Sequence, residues 1–178
     1  HRIPEGGLKE HKTADYIRKT LADFGAPQIE TWLETAVVAV FGAEGEKETV
    51  AFRADMDGLP VSEPPKPYAS THEGWMHACG HDSHITIGLG VALWAAQNKD
   101  KLNGKIKIVF QPVEEGVRGA AAIAASGIVD NADYFLSSHI GFCADSGTVV
   151  SNPRNFLSTS KIDIRYQGKP AHAGAAPH

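Results

Sequence analysis

The sequence predicts an α/β sandwich with a largely parallel sheet, and three observations lead there. Apolar runs of strand length alternate with helical segments along the chain, the order that lays helices over a parallel sheet. Two of those runs, TAVVAVF at 35–41 and TVAFRAD at 49–55, are nearly continuous, as suits strands buried on both faces. Polar clusters fall just after predicted strands, where open α/β sheets bind their ligands. With 178 residues, 42% hydrophobic and 21% charged, the chain is long enough for one full core, or for one domain and the start of another.

Each element has its own signal. Residues 8–24, LKEHKTADYIRKTLADF, set Ile17, Leu21 and Phe24 at helical spacing before Gly25 and Pro27 stop the helix. The runs at 35–41 and 49–55 follow as strands. A proline-rich loop, VSEPPKPYASTHEG, leads into MHACGHDSH at 76–84 and then a helix over 85–98, where Ile85, Leu89, Ala92 and Ala96 form an apolar stripe. Asp82 or Ser83 is placed to cap that helix. A strand at 105–110 (KIKIVF), a small-residue helix at 117–126 closed by Gly127, and a strand at 133–138 (DYFLSS) complete the series.

Composition narrows the partners. A net charge of -4 offers no basic stripe for nucleic acid or an anionic membrane, and no apolar run reaches the length of a membrane span. A small molecule or another protein is the expected partner. Of the two cysteines, Cys79 sits among histidines and Cys143 in a loop with no ligand-like neighbour; metal binding by Cys79 is favoured over a disulfide, and a reducing, cytoplasmic compartment follows. The opening HRIPEGG has neither a Met nor a signal-peptide pattern, and the closing KIDIRYQGKPAHAGAAPH supplies one alternating strand and a loop. Both ends read as points inside a longer protein.

The chemistry concentrates in four places. In Cys79-Gly80-His81 the glycine permits a tight path, so thiolate and imidazole can face one point and bind zinc or a similar ion; caps or satisfied core histidines are the alternative. Asp82 or His84 would then orient the ligating imidazole, whereas Gly80 argues against a continuous helix aligning His77 with His81. Glu114 and Glu115, in FQPVEEG, are bracketed by Pro112 and Gly116, which break the strand and let both carboxylates turn inward. Two adjacent buried carboxylates call for a cation: one ligates it and its neighbour serves as general base. A solvated pair is the other reading. His139 at its strand end is a further ligand or a core histidine. Asp55 and Asp57 share a face if their strand persists, with Arg53 as counter-charge.

Together RADMDGLP, MHACGHD, FQPVEEG, SSHIG and GKPAHAGAAPH resemble, in order, the motifs of metal-dependent amidohydrolases of the aminoacylase/carboxypeptidase G superfamily. The branch is that of auxin-conjugate hydrolases, hippurate hydrolase and N-acyl-amino-acid amidohydrolases. Within it, EEGVRGAAAIAASGIVDNADYF and GTVV most resemble the p-aminobenzoyl-glutamate hydrolase subunits. The resemblance implies a three-layer α/β/α, di-metal aminopeptidase-like catalytic domain, present in part over 1–157, and the start of an α+β ferredoxin-like lid or dimerisation domain over 158–178. It implies two divalent ions, Mn2+ or Zn2+, with Cys79 shared between them and His81, Glu115 and His139 as further ligands. Glu114 becomes the general base and Asp57 an aspartate beside the metals; Asp55 and Asp82 suit supporting positions on their own placement in the sequence. His172 becomes a lid histidine that reaches the site of a partner protomer and helps hold the scissile carbonyl or its oxyanion. A further ligand near the family's C-terminus has no counterpart here.

The implied activity is hydrolysis of the amide of N-acyl or N-aroyl amino acids, with p-aminobenzoyl-glutamate favoured, by a homodimer or related hetero-oligomer joined through the lid. One rival is a peptidase of the same superfamily, against which Cys79-Gly80-His81 argues. The other is a non-catalytic metal-binding domain. Structural zinc sites close with four protein ligands and have no use for a free neighbouring carboxylate, so the Glu114-Glu115 pair favours catalysis.

Overall fold

A computed structural model describes residues 1–42, 45, 48–116, 119–141, 144–151, 162–170, 172 and 174. It forms two compact units, His1–Gly141 and Phe142–His178. The first opens with helix α1 (His11–Asp23), which buries Thr13, Ala14, Ile17 and Leu21 at three- and four-residue intervals. It starts three residues later than the periodicity suggests, because Leu8 has a positive φ of 64°. Glu5 then meets the free amides of the first turn, accepting from Thr13 N at 2.8 Å and from Lys12 N at 3.3 Å.

Among the described residues five strands form one sheet in the order β1-β2-β4-β3-β5: β1 (Gln28–Trp32), β2 (Ala36–Gly42), β3 (Thr49–Asp55), β4 (Lys105–Gln111) and β5 (Tyr134–Ser137). The sheet is mixed, not largely parallel: β2 runs antiparallel to both β1 and β4, while β3 runs parallel to β4 and β5. The turn at Leu33 and Glu34, with φ of 45° and 67°, folds β1 straight back on β2, which only antiparallel strands allow. Continuous apolar burial does not distinguish the two directions.

Alternation along β2 divides its side chains between two cores. Val37, Ala39 and Phe41 join Ile108, Phe110, Ala54 and the apolar faces of α1 and α2 (His81–Gln97). Ala36 and Val38 join Val109 with Ile123 and Ile128, on and just after α3 (Ala120–Ala125). Helices therefore cover both sheet faces, giving three layers. The expected start of the third helix, residues 117 and 118, lies outside the described residues.

The parallel trio β4-β3-β5 places the site. Asp55 pairs in register with Gln111, and Arg53 with Ser137, so the loops leaving these three strands emerge at one end of the sheet. Helix α2 begins at His81, earlier than predicted, with Gly80 in the capping position and no side-chain cap. Neither Asp82 nor Ser83 caps it.

In the second unit the described residues 162–170 form no strand. The alternating pattern there finds no ladder partner among the described residues, and main-chain amides need one to make a strand. The boundary expected at 157–158 and Cys143 lie outside the described residues. No described helix is long and apolar enough to cross a membrane.

Candidate metal centre

Gly80 takes a φ of 87°, in the left-handed region, and this turn sends Cys79 and His81 toward the same space. A Cβ added at Gly80 would lie 2.1 Å from Ile140 Cδ1. Gly80→Ala is therefore expected to destabilise the protein by about 1–3 kcal/mol and to push aside the residue next to His139. A Tm measured for Gly80→Ala, alone and with Ile140→Ala, separates the parts: the second change relieves the clash and leaves the backbone strain.

His81 is the hub. Among the described residues three groups of metal-competent side chains come within 4.8 Å of one another, Cys79-His81-His139, His81-Glu114-Glu115 and Asp55-His81-His84, and every one contains His81. His81 is fully buried, and among the described residues neither ring nitrogen has a hydrogen-bond partner. Its Nδ1 lies 3.3 Å from Asp57 Oδ1 and its Nε2 lies 3.7 Å from Asp55 Oδ2 and 4.0 Å from Glu114 Oε2. Burial alone would lower its pKa, but the contact with Asp57 and the charges of Asp55 and Glu114 outweigh it and hold the imidazole above its ordinary value.

Other hydrogen bonds decide which nitrogens remain for a cation. His139 Nδ1 donates to Ile140 O at 2.5 Å, leaving Nε2 facing Cys79 Sγ at 3.5 Å. His84 is engaged at both nitrogens: Nδ1 donates to Asp55 Oδ1 at 2.5 Å and Nε2 accepts from Ile140 N at 2.9 Å. It thus braces Asp55 against the His139 loop rather than orienting His81. Asp55 is also held by Arg53 at 2.8 Å. Although burial would raise it, the bond from His84 and the charges of His81 and Arg53 keep this carboxyl below its usual range.

The Glu114-Glu115 turn is shaped by Asp57, whose two oxygens accept the main-chain N–H groups of Glu114 at 3.0 Å and Glu115 at 2.8 Å. These bonds and His81 overcome the cost of burial and lower the Asp57 pKa. The two glutamates are half-buried rather than fully buried, and both turn toward His81. Burial, followed by a hydrogen bond with Glu115 and the charges of Glu115, Glu114 and Asp55, pushes the Cys79 thiol up to about 12. A thiol and four carboxylates around a buried imidazole form a donor set that suits a divalent cation, which would relieve their repulsion and claim the thiolate.

Not every expected residue joins. Asp82 turns to His1, 2.7 Å away, instead of to His81. His77 is buried, its Nδ1 has no partner among the described residues, and it belongs to none of the three groups. His172 lies in the second unit. Sequence reasoning missed Glu10, which is fully buried and accepts from Val113 N at 2.9 Å; as one glutamate among the charges flanking a surface helix, it carries no local signal.

Peptidase family M20/M25/M40 matches residues 51–177. The chain belongs to that family. Among its M20 relatives, a p-aminobenzoyl-glutamate hydrolase subunit homolog from Haemophilus influenzae is 66% identical over 84% of this chain and 38% of its own length. The indole-3-acetyl-aspartic acid hydrolase of Enterobacter agglomerans is 42% identical over 96% of this chain and 42% of its own. The Bacillus subtilis YXEP protein, a dinuclear metal-binding peptidase of the M20 family, superposes with a TM-score of 0.74 at 33% identity, covering 78% of this chain and 40% of that one. The chain thus spans about two fifths of the length of these M20 proteins.

Proposed function

We propose that the protein containing this chain hydrolyses the amide bond of N-acyl or N-aroyl amino acids, with p-aminobenzoyl-glutamate as the preferred class. The observation that carries this reading is the pair Glu114-Glu115 beside His81 and Cys79: one carboxylate can ligate while its neighbour stays free for proton transfer. Names of relatives that act on aroyl- and indoleacyl-amino acids support the substrate class.

Cys79, His81, Glu115 and His139 would hold two divalent cations. Zn2+ suits thiolate and imidazole, and Mn2+ follows from the family resemblance. When bound, the cations polarise the amide carbonyl and make water a nucleophile near neutral pH. Glu114 accepts the proton of the attacking water and delivers it to the leaving amine. Asp57 holds His81 and, through two amides, the direction of both glutamates. Asp55 steadies the site through His84, and Asp82 steadies the start of α2 through His1. His172, on a lid beginning near residue 158, would hold the scissile carbonyl or its oxyanion in the partner protomer of a homodimer or related hetero-oligomer. A cytoplasmic setting keeps the Cys79 thiol free.

Metal analysis of the full-length protein, followed by hydrolysis assays on aroyl-glutamates, hippurate, acyl-amino acids and dipeptides, tests the reading. The expected result is two divalent ions in each protomer, with fastest turnover of an aroyl-glutamate. Absence of both metal and hydrolysis would refute it, and a preference for dipeptides would transfer the site to a peptidase.

A further inference from the structure

We propose that Glu10 is a positioning residue for this site: its carboxylate holds Val113 in a left-handed turn and thereby aims Glu114 and Glu115 at His81. The inference rests on the roles given above to those two glutamates.

Val113 has a φ of 57°, a conformation a β-branched residue rarely takes. It is 2% exposed, so its N–H has no access to water and needs a protein partner. Glu10 Oε1 supplies one at 2.9 Å, across 103 residues of sequence, while Thr35 Oγ1 donates to Glu10 Oε2 at 3.1 Å and fixes the carboxylate. The next two N–H groups, of Glu114 and Glu115, go to Asp57. Three successive amides of the turn are therefore each taken by a carboxylate, and Glu10 holds the first. The same N-terminal segment also grips the other wall, since Glu5 O accepts from Gly58 N, beside Asp57, at 2.7 Å. Without the Glu10 acceptor the buried Val113 amide is orphaned, and relaxation of its φ to the ordinary region swings the following two side chains.

The test compares Glu10→Ala, Glu10→Gln, Val113→Gly and the double variant Glu10→Ala/Val113→Gly in the full-length protein. Co2+ alone is the spectroscopic probe, and the best N-aroyl or N-acyl amino acid is the substrate. Glu10→Ala is expected to lower kcat about 100-fold, as for a misplacement on the order of 1 Å, to leave KM within about threefold, and to alter the Co2+ absorption bands. Glu10→Gln keeps an acceptor for Val113 and is expected to retain wild-type bands and kcat. Glycine accepts a positive φ without strain, so Val113→Gly is expected to restore at least about tenfold of the kcat lost in Glu10→Ala. Should Glu10→Ala fail to fold, Glu10→Met, which fills a similar volume without an acceptor, is read in its place.

Wild-type bands and kcat in Glu10→Ala would overturn the inference while leaving the proposed function intact. Equal damage in Glu10→Gln, or a loss that Val113→Gly does not move, would overturn it too. A wild-type protein that neither binds Co2+ nor hydrolyses any substrate would overturn both.

Discussion

Glu114→Gln in the full-length protein is expected to lower kcat by about 10²–10⁴-fold, the span of a lost general base, while metal content stays at the wild-type value. The two readouts separate the neighbouring glutamates. Glu114 Oε2 stands 4.0 Å from His81 Nε2 and its side chain is 42% exposed, close enough to serve the site and open enough to exchange a proton with bound water. An amide at that position keeps the volume and cannot take the proton. Its main-chain N–H still reaches Asp57, so the turn should survive. Atomic absorption and steady-state kinetics on one preparation decide the matter: unchanged kcat removes Glu114 from proton transfer, and lost metal makes it a ligand.

Cys79→Ala is expected to cost the site about 10²-fold or more in cation affinity and to change the proton balance of binding. In the cation-free protein, burial and the surrounding carboxylates push the thiol up to about 12, so at neutral pH the sulfur carries its proton. A cation that takes the thiolate must release it, so affinity should rise at least about tenfold per pH unit through the neutral range, with a further contribution wherever His81 also gives up a proton. Calorimetry in two buffers of different ionisation heat should count about one proton fewer for Cys79→Ala. The sign for folding is opposite. Because the folded thiol keeps its proton longer than the unfolded one, stability of the cation-free chain is intact below the ordinary thiol value and declines as pH climbs toward about 12.

Much of the fold is legible because burial leaves a periodic trace. The strands at 36–42, 49–55, 105–111 and 134–137 fall on runs the sequence marks, and α1 follows the spacing of Ile17 and Leu21. Strand β1, QIETW, escapes notice: it is a partly exposed edge strand with Glu30 at its centre, so neither alternation nor continuous burial announces it. The mixed direction of the sheet escapes as well, since Val37 and Phe110 are equally buried whichever way their strands run. Within the site, Cys79, His81, Glu114, Glu115 and His139 are visible as unusual residues at strand and helix ends. Which imidazole is spent on support and which keeps free nitrogens is not, because the bonds of His84 to Asp55 and Ile140 exist only once separate loops meet.

The separations across this site set an order of assembly. Cys79 meets His139 over 60 residues, Asp57 meets Glu115 over 58, and Glu10 meets Val113 over 103, so each contact closes a long loop and waits on the parallel strands between. Only MHACGHDSH offers its donors locally, before any sheet exists. A cation held there by the unfolded chain would offset part of the stabilisation that binding gives the native site. The segment richest in donors therefore cannot complete a metal shell by itself, and the full donor set exists only where the strands have brought His139, Glu114 and Glu115 to it.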